Sequence, residues 1–119
     1  MARKAKTGSK EGSRGTLPKP PKRYREFTRR YPGLASAWES INEAGAQGPL
    51  DARTRRLVKL AVSMGAMREG AVRSGVRKGI AEGVTVAEIE QVIALATGTI
   101  GLPAAVACWS WVATARDDD

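Results

Sequence analysis

Residues 76–89 read VRKGIAEGVTVAEI, and this stretch decides the fold of the chain. Its first half carries apolar residues four positions apart with charged residues between them, which is the spacing of one face of a helix. Gly83 then favours a helix end. Thr85 and Glu88 have the spacing of a capping box, in which each side chain binds the backbone amide of the other residue at a helix start. The stretch therefore predicts two helices joined by a tight turn.

The same periodicity extends in both directions from this turn and predicts six helices. They are expected over residues 22–31, 34–44, about 52–67 behind an N-cap at Asp51, 69–81, 86–97 and about 104–115, with breaks at 32–33, 48–49 and 98–101. Pro103 suits the first turn of the last helix. Because no stretch alternates between apolar and polar residues, we predict no strand. The expected fold class is all-α, a compact bundle of about six helices.

Positive charge is concentrated at the N-terminus. Residues 1–31 hold eleven Lys and Arg against two Glu, whereas residues 32–119 hold nine Lys and Arg against ten Asp and Glu. Since residues 1–21 have little apolar surface to bury, we expect a basic flexible tail there. Residues 22–116 form the predicted helical domain, and 117–119 an acidic end. The tail could contact nucleic acid through residues 1–31, but a solubilising or assembly arm is the favoured interpretation.

Cysteine and histidine content restricts the chemistry that one chain can perform. Cys108 is the only cysteine and there is no histidine, so an intrachain disulfide, a dithiol pair, a Ser-His-Asp triad and a His-containing zinc site are excluded. We expect no metal and no cofactor. Cys108 lies in an apolar helix, where a buried thiol is typical and a reactive one is the alternative. Without a membrane span or a secretory signal, the predicted compartment is cytoplasmic.

Two features of the predicted helices indicate close packing and assembly. Gly75 and Gly79 are unfavourable inside a helix, so they suggest the close approach of another backbone or the loss of larger side chains. The helix over 104–115 is apolar almost all round, and in so small a domain this favours a subunit interface. The three tryptophans are interpreted as core or interface residues, and the aromatic residues of the first helix as packing anchors on the domain.

Three segments together resemble a known family. They are RRLVKLAVS at 55–63, the stretch at 76–89, and GTIGLPAA at 98–105. In order and spacing they are similar to RELIALAVS, TRAALEAGATPEEI and FGGFPAA of the carboxymuconolactone decarboxylase and alkylhydroperoxidase D-like superfamily. The resemblance covers about half of the chain. It implies an all-α subunit that assembles through its apolar helices as a ring-like homotrimer or homohexamer.

The resemblance also implies a nominal activity. The redox branch of the superfamily reduces peroxides as a peroxiredoxin-type oxidoreductase, with a Glu, a CxxC pair and a His as its relay, and the decarboxylase branch shares the His. These positions fall on Arg56, Arg68, Ala71 and Gly75, so none of the relay residues is retained. The chain is therefore expected to be divergent or inactive in that chemistry, and whether it is an enzyme stays open.

Charged residues on the predicted fourth helix give an alternative to catalysis. Glu69, Arg73 and Arg77 are spaced four residues apart, so they share one face. They could line a pocket for a small anionic ligand, or they could form an exposed, ion-paired helix face. The alternative function is thus a non-catalytic oligomeric scaffold or small-anion binder. Glu69 is also the candidate for acid or base chemistry without histidine.

Overall fold

The computed structural model describes residues 18–117, and six helices account for most of this range. They are α1 (Lys22–Arg30), α2 (Pro32–Gly45), α3 (Ala52–Gly65), α4 (Glu69–Ala81), α5 (Val86–Ile100) and α6 (Leu102–Asp117). Residues 18–117 contain no strand, so the all-α prediction is confirmed. Most of the predicted basic tail (1–17) and most of the predicted acidic end (118–119) lie outside the described residues.

Two helix starts follow the capping residues that the sequence predicts. The Asp51 carboxylate accepts a hydrogen bond of 2.8 Å from the backbone amide of Thr54 and begins α3. The capping box is formed at the start of α5, where the Glu88 amide donates to the Thr85 hydroxyl (3.1 Å) and the Thr85 amide donates to the Glu88 carboxylate (2.8 Å). Gly83, in the turn before it, has φ of +96°, which glycine adopts without strain. Both predicted caps are therefore confirmed.

Two predicted breaks are narrower than the sequence suggests. Pro32 and Gly33 belong to the first turn of α2, and only Tyr31 separates α1 from α2. A proline fits there because its fixed φ suits a helix start and its missing amide hydrogen is not needed. Gly98 lies inside α5, and Gly101 alone, with φ of +92°, separates α5 from α6. The predicted break at 32–33 is therefore wrong, and the predicted break at 98–101 is wrong for residues 98–100.

Helices α3 to α6 form a four-helix bundle with one apolar core. Helix α3 packs on α4 and α5, and α6 packs on the same two helices from the other side. The core consists of twelve buried residues, all from this part of the chain: Leu60, Met64, Val72, Val76, Val84, Ile89, Val92, Ile93, Ala105, Cys108, Val112 and Ala115. Within residues 18–117, none of the helices has the length and hydrophobicity that a membrane crossing requires.

The first two helices form an arm (Lys22–Gly45) that stands apart from this core. Helices α1 and α2 pack against each other, and neither contains a buried residue. Phe27 and Tyr31 contact each other with ring centroids 5.4 Å apart, yet both stay about half exposed. These two aromatic residues therefore do not anchor the arm on the domain of the same chain. Trp38 and Ile41 on α2 are 53% and 60% exposed.

Helix α6 has two apolar faces. One face is buried in the bundle, whereas Leu102, Val106 and Trp109 lie four and three residues apart and are exposed by more than half. Trp111 packs against the core. The sequence predicts apolar residues all round this helix, but within a single chain only one side of it is buried. Val58 and Val62 on α3 and Leu95 on α5 are further apolar side chains left in contact with water.

Candidate functional site

The four positions that the resemblance assigns to the superfamily's relay lie on α3, just before α4 and within α4. Arg56 belongs to α3, Arg68 is the residue before α4, and Ala71 and Gly75 belong to α4. Arg68 and Ala71 are exposed, whereas Arg56 and Gly75 are partly buried. The two partly buried positions show what occupies the space between the helices.

Arg56 is held in a bidentate ion pair. Its Nε and Nη2 donate to the two carboxylate oxygens of Glu82 at 2.9 and 3.2 Å, and its side chain is only 14% exposed. The stem of Arg56 crosses Gly79, where a Cβ atom would lie 3.4 Å from its Cγ. Such a fork-to-fork pair fixes both partners in one geometry. Arg56 therefore ties α3 to the C-terminal end of α4, and its guanidinium cannot act as a base.

Gly75 is in contact with the core side chain of Leu60. A Cβ atom at position 75 would lie 2.8 Å from Leu60 Cδ2, closer than packed side chains allow, and Leu60 is 1% exposed. The close approach that the sequence suggests is therefore made by a side chain and not by a backbone. Any larger side chain at position 75 would therefore require the end of the Leu60 side chain to shift within the core.

Cys108 is the only thiol that could replace the missing pair, and it is fully buried. Removal from water disfavours the charged thiolate and raises the pKa of this thiol. Because the thiolate is the nucleophile in peroxide reduction, a buried thiol of raised pKa is poorly suited to that reaction. The expected structural role of Cys108 agrees with its place in the core.

Glu69, Arg73 and Arg77 lie in different surroundings on α4. Arg73 Nε donates to the Glu69 carboxylate at 3.0 Å, and its Nη1 donates to the Thr114 hydroxyl on α6 at 2.6 Å. This arrangement matches the alternative of an ion-paired helix face for the first two residues. Arg77 has no carboxylate within 4 Å among residues 18–117 and lies beside a cleft elsewhere.

That cleft, which we call the arm cleft, lies between α4, the arm and the segment before α1. Its volume is about 210 Å³, and it is lined by Pro18, Lys19, Pro20, Pro21, Tyr24, Trp38, Ser74, Arg77 and Lys78. Three of these residues are cationic and none is acidic. Burial lowers the pKa of Lys78, and the nearby cations Arg56 and Lys59 lower it further. Ser74, Arg77 and Lys78 are half-buried, whereas Lys19, Tyr24 and Trp38 are exposed, so the cleft is an open groove with excess positive charge.

A second cavity at the end of α6 differs in charge. It measures about 240 Å³ and is lined by Glu90, Trp109, Val112, Ala113, Arg116 and Asp117. Arg116 lies 3.9 Å from both Glu90 and Asp117, so its charge is balanced. Residues 18–117 contain no group of three His, Cys, Asp or Glu side chains that could hold a metal ion.

Comparison with known proteins settles the family. A model described as "Carboxymuconolactone decarboxylase family" matches residues 32–114, which is more than half of the chain. The chain belongs to the carboxymuconolactone decarboxylase family. The predicted resemblance is thereby confirmed, and the six helices agree with the expected all-α architecture. The match begins at α2, so α1 lies outside the part that identifies the family. No curated protein and no solved structure matched the chain.

Sequence reasoning missed the arm cleft for a definable reason. Ser74, Arg77 and Lys78 have the spacing of one helix face, so their proximity was visible in the sequence of this carboxymuconolactone decarboxylase family member. The other wall, with Lys19 and Trp38, comes from residues more than 35 positions away. The pairing of the arm with α4 depends on the path of the chain, which periodicity within single helices does not specify.

Proposed function

We propose that this member of the carboxymuconolactone decarboxylase family is a non-catalytic, homo-oligomeric protein. The observation that carries the proposal is the use of two relay positions for packing: Arg56 is locked to Glu82, and Gly75 accommodates Leu60. A peroxidase relay needs a base beside a reactive thiolate, and a decarboxylase of this family needs its histidine. In this chain, Arg56 and Gly75 instead take part in the packing of the bundle.

Peroxidase and decarboxylase turnover test the first half of the proposal. With tert-butyl hydroperoxide and dithiothreitol, we expect the wild-type chain to consume peroxide no faster than the Cys108→Ser variant. With carboxymuconolactone, we expect no release of carbon dioxide above the rate without protein. A peroxidase rate that depends on Cys108, or saturable decarboxylation, would overturn the assignment as non-catalytic.

Unburied apolar surface supports the second half, assembly. Neither helix of the arm has a buried residue. Apart from Tyr24 and Trp38, which line the arm cleft, the arm carries four apolar or aromatic side chains that are 45–60% exposed: Phe27, Tyr31, Leu34 and Ile41. Large exposed apolar patches are unusual on monomers and mark interaction surfaces. The second copy of the chain offers apolar side chains on α3, α5 and α6. We therefore assign the arm to the subunit interface of a trimer or hexamer.

Light scattering after size exclusion tests assembly with a matched pair of variants on α2. Ile41→Lys places a charge in the exposed apolar stripe, and we expect it to convert the oligomer to monomer because an ammonium is costly to bury. Asn42→Lys places the same charge on the adjacent exposed residue and should leave the oligomer intact. A monomeric wild type, or equal dissociation by both variants, would contradict the role of the arm.

A further inference from the structure

We infer that the arm cleft binds a small organic anion, a carboxylate or a phosphate monoester that carries a flat apolar portion. This site is separate from the superfamily's relay positions, and it does not depend on whether the protein is catalytic. The charge of the cleft, its hydrogen-bond donors and its apolar walls support this assignment.

The arm cleft carries excess positive charge. Lys19, Arg77 and Lys78 line the cleft, and among residues 18–117 none of them has a carboxylate within 4 Å. Other arginines of the bundle, such as Arg53 and Arg56, are each paired with a glutamate. Cations that line one cleft without carboxylate partners repel one another, and an anion between them removes that repulsion.

Helix α4 presents several hydrogen-bond donors to the arm cleft. Ser74, Arg77 and Lys78 lie at positions i, i+3 and i+4 of α4, so a hydroxyl, a guanidinium and an ammonium face the cleft from one rigid helix. An arginine fork beside a lysine and a hydroxyl is a common recognition set for carboxylate and phosphate oxygens. Tyr24, which carries a further potential donor, lines the opposite wall.

Apolar walls indicate that the anion is organic. The indole of Trp38 and the rings of Pro18, Pro20 and Pro21 complete the lining. Flat aromatic and proline faces offer apolar contact to a ring or a planar chain and offer little to a bare hydrated ion. A ligand that combines both parts would span the cleft from α4 to α2. It would thereby hold the arm against the bundle.

Binding of three probes tests the inference. Phenyl phosphate has both parts, inorganic phosphate only the charge, and phenol only the ring. In titrations followed by amide and indole NMR signals of the full chain, we expect saturable shifts at Ser74, Arg77, Lys78 and Trp38 with phenyl phosphate. Inorganic phosphate and phenol should each bind at least about tenfold more weakly, because each makes one of the two sets of contacts. Equal affinity for inorganic phosphate would overturn the organic assignment.

Two variants on α4 locate the site. Arg77→Gln should weaken phenyl phosphate binding at least about tenfold, since it removes a charged donor. Arg73→Gln lies one helical turn away on the same helix, outside the cleft, and should leave the affinity unchanged. Both arginines are half-buried, and circular dichroism checks that each variant is folded. Equal weakening by both variants, or the absence of saturable shifts in the wild type, would overturn the site.

A nucleic-acid surface is the competing outcome. If a single-stranded oligonucleotide displaces phenyl phosphate, shifts signals throughout residues 22–31 and loses affinity steeply with salt, the positive charge serves a polyanion and the small-molecule assignment fails. If the oligonucleotide leaves the signals of Ser74 and Trp38 unchanged, the small-molecule assignment stands. These readouts are independent of turnover and of subunit number, so failure here leaves the proposed function standing.

Discussion

The arm and the four-helix bundle both carry apolar side chains but use them differently. In the bundle, twelve apolar side chains are buried against each other, and the starts of α3 and α5 are closed by Asp51 and Thr85. In the arm, no side chain is buried, and neither α1 nor α2 has a side-chain cap. Short isolated helices are marginal in water. We therefore expect the bundle to be stable alone, whereas the arm needs another surface to pack against.

The largest expected effect comes from one substitution made in both regions. Ile89 in the core is 0% exposed, and Ile41 in the arm is 60% exposed. Ile89→Ala should lower the free energy of unfolding by about 2–5 kcal/mol, through lost burial and a cavity. Ile41→Ala should lower it by less than about 0.5 kcal/mol at low protein concentration and by more as assembly increases. Urea unfolding at several concentrations measures both.

The outcome separates two accounts of the arm. A loss at Ile41 as large as that at Ile89, independent of protein concentration, would mean that the arm is part of the same cooperative core. A loss that grows with concentration would place Ile41 in the interface between subunits.

Substitution of two glycines of α4 by alanine should change the free energy of unfolding by an intermediate amount. Gly75→Ala should lower the free energy of unfolding by about 1–3 kcal/mol, because the new Cβ atom presses on Leu60. Gly70→Ala, on the same helix with nothing within 4 Å, should raise it by up to about 1 kcal/mol through helix propensity. Thermal unfolding compares the two. Stabilisation by both alanines would show that Leu60 moves aside without loss, and that the position is open after all.

The smallest effect concerns pH and Glu88. The backbone amide of Thr85 and the guanidinium of Arg53 hold the pKa of Glu88 below its usual value. A lowered folded-state pKa contributes stability above the unfolded-state pKa, and this contribution is lost as the pH falls through the folded-state value. Glu88→Gln should therefore flatten the loss of thermal stability on acidification below about pH 4.3.

Glu43→Gln in the arm serves as the control for this acid dependence, because Glu43 forms no ion pair with residues 18–117. Its melting curve should keep the wild-type acid dependence. An unchanged acid dependence in Glu88→Gln would mean that the capping box adds no pH-dependent stability to the bundle.

Local sequence patterns were enough to predict the helices and the caps of the bundle. The bounds of α4 agree with the prediction, and Asp51 and Thr85 cap as expected, because capping depends on residues three positions apart. Gly98 was wrongly placed in a break, since one glycine with positive φ at position 101 is enough to separate two helices. A helix interior tolerates Gly98 at a modest cost in free energy.

The candidate site was less predictable than the fold. The family resemblance located Arg56 and Gly75, but their partners Glu82 and Leu60 lie 26 and 15 residues away, and only packing brings them together. The same holds for the two walls of the arm cleft. Sequence spacing reports which residues share a helix face, and it does not report which face of another helix they meet.

The contact between Leu60 and Gly75 makes it difficult to introduce a histidine at position 75. A histidine at position 75 collides with Leu60, and truncating Leu60 first would cost about 2–5 kcal/mol of a stability that is typically only about 5–15 kcal/mol. Either change made first lowers the stability of the chain, so single steps towards an imidazole at position 75 pass through a destabilised protein. Leu60 and Gly75 therefore have to be changed together. Laboratory evolution of peroxidase or decarboxylase chemistry on this bundle should start from a stabilised variant or from both substitutions at once.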